Sequence, residues 1–323
     1  MRGTGDPSGI ACASMTVIVR DLRPDVRADA EGFSHVRRLA VPFMLSTPES
    51  VLHSLTHSHP DARFSQLVAE EDGEIVGTAQ VSLAHDSPEP GQGSANIYVR
   101  PGRTGRGAGT LLLRTAEERL AGLGVRKIFA WVLDAPDNRA FAERHGYRAS
   151  RSAYFLRLDL ANGTLPPLQD PPPGVDLRTG ADFAGDPHPV FELDAETSSD
   201  EPSDIGTEFT DYEAWVEETW RHPMLDLELT TVAVVDGRPA AFTVAYTDGS
   251  GRYATAMTGT ARAHRGRGLA KLAKNASLHR ARAAGCTEAF TGNDTGNGPM
   301  IAINKWFGYE IGATEVRYVR ELG

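Results

Sequence analysis

Two stretches of this chain have the residue types of an anion cradle. "AHRGRGLAKLAK" runs over 263–274 and "GRTGRGAGTLLL" over 102–113. In each, glycines alternate with polar residues and lead directly into an apolar helical pattern. Such a turn leaves consecutive backbone N–H groups unblocked at the positive end of a helix dipole, an arrangement suited to phosphate. Gly107 and Gly268 permit close approach of a ligand, and Gly105 and Gly266 supply conformational freedom ahead of the helix. Neither copy carries the Lys-Ser/Thr pair of a Walker loop. Neither follows the first strand of its unit, where a dinucleotide fingerprint belongs. The plainer reading is a tight turn that only starts a helix.

The elements that must position these loops recur in order. Gly107 and Gly268 lie 161 residues apart, and the glycines of "HGY" (145–147) and "FGY" (307–309) lie 162 apart. Upstream, "VAEEDGEIVGTAQVSL" (68–83) and "TVAVVDGRPAAFTVAY" (231–246) alternate apolar and polar residues around an Asp-Gly pair, the strongest short-range hairpin signal. Three landmarks in one order make a tandem repeat. Each copy reads as polar helical segments (24–58 and 187–221), the hairpin, and a third strand (94–99 and 252–260). The loop and an amphipathic helix follow (108–121 and 269–284), then a strand (126–133 and 288–293). A helix, the Gly-Tyr pair and a last strand (154–160 and 315–322) close the unit. The expected class is therefore mixed α/β, two units each built on a twisted sheet flanked by helices. Proline-dense "LDLANGTLPPLQDPPPGVDLR" (158–178) reads as a stiff linker. We expect a lead-in over 1–14 without order, with Met15 as an alternative start. One domain is expected over 15–160, the linker over 161–176, and a second domain over 177–323.

Bulk composition narrows the function. At 323 residues with 40% hydrophobic and 24% charged side chains, the chain has the make-up of a soluble protein of about two domains. A net charge of −10 argues against non-specific nucleic-acid binding and permits a cationic small-molecule partner, though a mild acidic excess usually means only solubility. Cys12 and Cys286 form no disulfide framework and fit a reducing cytoplasm, Cys286 as a small core residue. No apolar run is long enough to span a membrane, and the first residues lack signal-peptide order. His53, His57 and His59 include an i,i+4 pair, but no further ligand follows at metal spacing, so no metal is expected.

"RGRGLA" (265–270), preceded by a strand and followed by a helix, resembles the Arg/Gln-x-x-Gly-x-Gly/Ala motif of the GNAT N-acyltransferase superfamily. With two copies, the chain is similar to tandem-GNAT proteins over roughly 15–323. The resemblance implies that the loop amides hold the pyrophosphate of acetyl-CoA or another acyl-CoA. It places the cofactor on Thr260, Arg265, Gly266, Arg267, Gly268, Leu269 and Ala270. The first copy keeps its glycines but has Thr104 at the Arg/Gln position, so a second cofactor site would comprise Val99, Thr104, Gly105, Arg106, Gly107, Ala108 and Gly109. The family's Asn-then-Tyr pattern ahead of Gly-Tyr is met by Asn297, but Asn304 stands at the tyrosine position. In the first copy Ala142 stands there, and Asn138 lies too close to the Gly-Tyr pair to match. An amide cannot act as the acid that the tyrosine supplies to the leaving thiolate.

Direct attack of a neutral amine on the thioester remains open, because it needs mainly placement and backbone polarisation of the carbonyl. Thr258 and Thr260 lie on the strand that would flank the thioester and could order a proton-carrying water, or could be ordinary strand threonines. Asn293 and Asn304 could bond the pantetheine or the thioester, or could bond helix ends. The terminal carboxylate of Gly323 is a further possible base. Glu201, Asp204, Tyr212 and Trp215 fall in an acidic, aromatic stretch (192–218) that would wall the acceptor site and suit a cationic amine. The plainer reading is a solvated acidic helix face, which charge runs usually are. The expected function is an acetyl-CoA-dependent N-acetyltransferase acting on a small-molecule amine through its second repeat, as a monomer or homodimer. The alternatives are a non-catalytic CoA- or partner-binding tandem GNAT, or the same fold with another acyl donor.

Overall fold

The computed structural model describes residues 16–206 and 211–322. The lead-in with Cys12 and Met15, and Gly323, lie outside the described residues. The two Asp-Gly pairs turn as their sequences demand. Asp72 and Gly73, and likewise Asp236 and Gly237, take positive φ, the geometry of a type I′ hairpin. They join β2 (Ser65–Glu71) to β3 (Glu74–Leu83), and β8 (Thr231–Val235) to β9 (Arg238–Thr247). Short strands that the sequence pattern did not reveal flank them, β1 (Val17–Asp21) on β2 and β7 (Val175–Thr179) on β8. The third strands are β4 (Gln92–Val99) and β10 (Arg252–Thr260). Each leads through a glycine loop into α3 (Ala108–Gly122) or α7 (Leu269–Ala283).

The parallel partners are β5 (Lys127–Leu133) and β11 (Glu288–Asp294). After them come α4 (Pro136–Arg144) and α8 (Gly298–Trp306), then β6 (Arg148–Asp159) and β12 (Glu310–Glu321). Alternation of the buried residues along each strand divides the core between two faces. On one, Leu67 and Ala69 pack on α3, and Ala233 and Val235 pack on α7. On the other, Val68 packs on α1 (Arg27–Ala40) and α2 (Pro48–His57). There Val232 and Phe242 pack on α5 (His188–Ser198) and α6 (Tyr212–Trp215).

The closing strands change places. Among the described residues the order is β1-β2-β3-β4-β5-β12-β6-β11-β10-β9-β8-β7, one sheet of twelve strands. β12 pairs antiparallel with β5 of the first repeat, β6 pairs antiparallel with β11 of the second, and the two pair with each other. Side chains follow the backbone. Tyr318 of β12 is 1% exposed in the first repeat's core, while Leu156 and Leu158 of β6 complete the second's. Phe43, after α1, stacks on Phe155 with ring centroids 5.8 Å apart and meets Phe290 edge-on. The proline-rich connection is tied to α7. Arg282 donates to the carbonyls of Leu160 and Gly163, Asn275 accepts from the Gln169 N–H, and His279 Nε2 lies 2.9 Å from the Pro166 carbonyl.

This exchange couples the repeats in one folding unit. Tyr318→Ala, made in the second repeat's sequence, should cost about 3–5 kcal/mol by emptying the first repeat's core. Thermal unfolding should remain a single transition at lower temperature. Two separated transitions would show that the repeats fold independently.

Candidate acyl-transfer site

Both glycine loops are built alike. Gly105, Gly107, Gly266 and Gly268 all take positive φ, and Gly107 and Gly268 are the N-caps of α3 and α7. A Cβ on any of the four would meet nothing within 4 Å. Open space therefore lies in front of the backbone that a diphosphate would contact, which fits that group. The left-handed conformation is what reserves these positions for glycine.

The strands beside the loops differ between the copies. In the second repeat, β10 and β11 pair from Arg252/Glu288 to Thr255/Thr291 and then separate. A register shift on β10 between Thr255 and Met257 leaves an extra residue out of the ladder, a local bend common beside active sites. The cavity there, about 590 Å³, is lined by Thr258 and Thr260 of β10, by Arg265, Gly266, Gly268, Leu269 and Ala270, and by Asn297 of α8. Asp200 and Glu201, just after α5, close its other side. In the first repeat the β3–β4 ladder runs without a register shift. β4 and β5 stop pairing at Ser94/Phe129, and the Trp131 N–H then donates to the Asn96 side chain, 2.9 Å away. Asn96 thus takes up the Trp131 backbone donor and bridges the two strands where their ladder ends. The positions corresponding to Asn96 and Trp131 in the second repeat are Met257 and Gly292, which close nothing.

The first repeat's cavity is nonetheless larger, about 890 Å³, with Val99, Thr104, Gly105, Gly107 and Gly109 on its wall beside Asn138 and Ala142. Ala108 is buried under it, and Arg106 turns away toward Glu71 at 3.8 Å.

Side chains of the second site hold definite partners. Arg265 donates to the Thr260 carbonyl at 3.3 Å and to Asp200, which also accepts from Arg262. Those guanidinium groups hold the Asp200 carboxyl down at about 2. Arg267 lies beside His264 at 2.8 Å and does not line the cavity. Thr258 Oγ1 is 3.3 Å from Thr243 Oγ1. Asn297 caps α8 by accepting from the Met300 N–H.

Asn304 is fully buried. Its Oδ1 accepts from Lys274 Nζ at 2.6 Å, and its Nδ2 donates to Asn293 Oδ1 at 2.5 Å. Sequence reasoning singles out both asparagines but passes over Lys274. The signal was a lysine within the apolar stripe of α7, four residues before Leu278, a place where long side chains commonly snorkel outward.

A second cluster of charged side chains lies where the exchanged strands meet. Arg151 of β6 and Arg317 of β12 stack over the Trp131 ring at 5.0 and 5.2 Å. Arg151 bonds Asp294 at 2.7 Å, and both arginines stand 3.5 Å from Asp204. Glu315, beside them, has its carboxyl pushed up to about 7 by burial, which the two guanidinium groups only partly offset. Glu201 stands at the cavity mouth, its carboxyl raised by desolvation and then by Asp194. Of the four residues expected to wall an acceptor, Glu201 lines the cavity and Asp204 is spent on the arginines. Trp215 is a core residue, 2% exposed, whose Nε1 donates to Asp194 at 2.8 Å. Tyr212 packs against it at 6.3 Å, and neither reaches the cavity. His53 stacks on His57 at 4.3 Å, and His59 on His85 at 4.5 Å. Cys286 is a free thiol in the core. Among the described residues no group of three His, Cys, Asp or Glu is placed to hold a metal ion, and no helix is long and apolar enough to cross a membrane.

Comparison with known proteins bears on this duplicated, loop-and-cleft geometry. The model of the Acetyltransferase (GNAT) family matches twice, over residues 34–147 and 191–309. The chain belongs to the GNAT acetyltransferase family. Among its GNAT relatives, the mycothiol acetyltransferase of Nocardia farcinica is 30% identical over 299 residues, covering 90% of this chain and 95% of that protein. The mycothiol acetyltransferase of a Nocardioides species is 29% identical over 228 residues, covering 66% and 75%. Among solved structures, a tandem GNAT protein from the clavulanic acid biosynthesis pathway superposes with a TM-score of 0.72 at 22% identity, covering 95% of this chain and 99% of that one. A GCN5-related N-acetyltransferase from Sphaerobacter thermophilus gives 0.68 at 21%, covering 94% and 95%. At such identities these structures speak for the fold, that of a tandem GNAT acetyltransferase.

The acidic layer has a measurable signature. Glu315 binds its proton more tightly in the folded chain than in the unfolded one, so its contribution to stability falls as pH rises from about 4.5 to about 7. Glu315→Gln should therefore stabilise the protein at pH 8, by about 1–3 kcal/mol, and leave it unchanged at pH 4. Equal effects at both values in denaturant titrations would show that the carboxyl is not desolvated as described.

Proposed function

We propose that this chain is an acetyl-CoA-dependent N-acetyltransferase whose second repeat binds the cofactor and transfers the acyl group to a small-molecule amine. One observation carries the reading. Only in the second repeat do a bulged third strand, separated parallel strands and a glycine loop border one open cavity. The bound thioester supplies an activated acyl carbon. The loop over 265–270 would bind the diphosphate through its N–H groups and the dipole of α7. Backbone N–H groups at the bend of β10 would polarise the carbonyl.

The acceptor would arrive over the acidic face. Glu201, Asp204 and Asp294 outnumber Arg151 and Arg317 there, which favours a cationic amine. Glu201 would take the amine's proton, and its raised carboxyl suits it as a base. The relatives named mycothiol acetyltransferase support a small-molecule acceptor. The first repeat, with Asn96 across its cleft, would shape the acceptor site and lend its last strand. A reducing cytoplasm suits a chain with a free buried thiol.

The test is acetyl-CoA binding and thiol release against an amine panel, comparing Gly268→Asp, Gly107→Asp and Gly268→Ala. The alanine variant controls for strain at positive φ. Gly268→Asp should lose about 100-fold in kcat/KM beyond Gly268→Ala, because a carboxylate repels the diphosphate. Gly107→Asp should stay near wild type. Glu201→Gln should lower kcat by about 10²-fold and abolish the acid limb of the pH profile. If Gly107→Asp is the variant that abolishes binding, the assignment of the second repeat is wrong.

A further inference from the structure

Lys274 lies in the middle of α7 with no exposed surface, and burial alone lowers its ionisation to about 7. Among the described residues no charged group offsets that burial. Its Nζ lies 5.0 Å from the Tyr309 ring centre and bonds Asn304 Oδ1. Burying an ammonium without a carboxylate is costly, and a fold retains one only for a reason. The duplication supplies an internal control. Lys274, Asn293 and Asn304 correspond to Leu113, Val132 and Ala142 of the first repeat, by their places after the glycine cap, along the parallel strand and before the Gly-Tyr pair. Those three apolar residues line the first cavity, and that repeat folds with them. The polar trio is therefore not a requirement of the architecture.

The trio has a direction. In its ammonium form Lys274 offers donors only, and the Asn304 carbonyl oxygen faces it while the Asn304 amide nitrogen faces away. That nitrogen donates to Asn293 Oδ1, which turns Asn293 Nδ2 outward. Asn293 stands on β11 two residues beyond its last pair with β10, where the strands part; like Asn304 and Lys274 it lies outside the lining of the open cavity, and a thioester arm entering between the parted strands would bring its sulfur to Asn293. Its Nδ2 has no hydrogen-bond partner among the described residues. We propose that Lys274, Asn304 and Asn293 form a one-way hydrogen-bond chain that aims the Asn293 amide at the sulfur of a bound acyl-CoA. The chain takes the place of the phenol that Asn304 replaces. Asn293 is the group that touches the substrate, and Lys274 and Asn304 are positioning residues.

The inference rests on the proposed CoA site and assigns the group that serves its leaving sulfur. As the amine nitrogen bonds to the acyl carbon, the carbon–sulfur bond breaks and its electron pair stays on sulfur. Asn293 stabilises that thiolate by donation without giving up a proton, the amine's proton passes to Glu201, and the thiolate is later protonated by water.

The test needs no acceptor. CoA is bound to wild type, Lys274→Met and Asn293→Ala, and ionisation of the bound thiol is followed by its thiolate absorbance. Affinity for desulfo-CoA is measured in parallel. In wild type the bound thiol should ionise about tenfold more readily than free CoA. In both variants it should return to the free value, with desulfo-CoA affinity unchanged. Lys274→Met should fold, since removal of an uncompensated buried charge offsets the bond lost at Asn304 Oδ1. Asn293, partly exposed, can be truncated with little risk to the core. If CoA binds and its thiol ionises alike in all three proteins, the chain is purely structural and the CoA site stands. If wild type binds no CoA, the functional assignment falls and the chain with it.

Discussion

A strand paired on both sides cannot be withdrawn without orphaning two rows of backbone donors and acceptors. In this protein the two central strands satisfy that constraint for the opposite repeat. β12 closes the sheet of the first half and β6 that of the second. The charged cluster at the seam follows. Arg151 and Arg317 reach the same tryptophan because they sit on exchanged neighbours, and Asp204 from the second half finds both. A site bounded by the two repeats is thus fixed by main-chain hydrogen bonds, the most directional interactions available, not by a domain interface free to slide.

Duplication then let the copies diverge on one scaffold. The glycine loops kept their backbone geometry, because positive φ at four positions leaves few substitutes. The strands beside them did not. One copy bridges its cleft with Asn96 and lines its cavity with Leu113, Val132 and Ala142. The other bends β10, places Gly292 where the first has Trp131, and carries a lysine and two asparagines at the three apolar positions. Anion-binding geometry is therefore common to both, whereas polar chemistry beneath it is confined to one.

Much of this was legible in the sequence. Asp-Gly between alternating residues locates both hairpins to within a residue, since the turn geometry demands those two residue types. The helices after the loops begin directly after the positive-φ Gly107 and Gly268, at Ala108 and Leu269. Exchange of the last strands was not legible, because "YFLRLDL" and "EVRYVREL" alternate in the same way whichever neighbour they pair with. Strands β1 and β7 are five residues each, too short to stand out beside a proline-rich stretch or a helical pattern. At the site, Asn293 and Asn304 were visible as residue types, but their meaning depends on Lys274, whose burial is a tertiary fact. Trp215 has the composition of a ligand wall, and only its bond to Asp194 reveals a core residue.

The most direct test of the central claim, that one repeat alone holds the cofactor, is backbone hydrogen exchange with and without acetyl-CoA. Ligand contact slows exchange of the amides it covers. The account predicts protection over 265–270 and 292–294, with no change over 102–109. Protection over 102–109, with 265–270 exchanging as in the free protein, would contradict it.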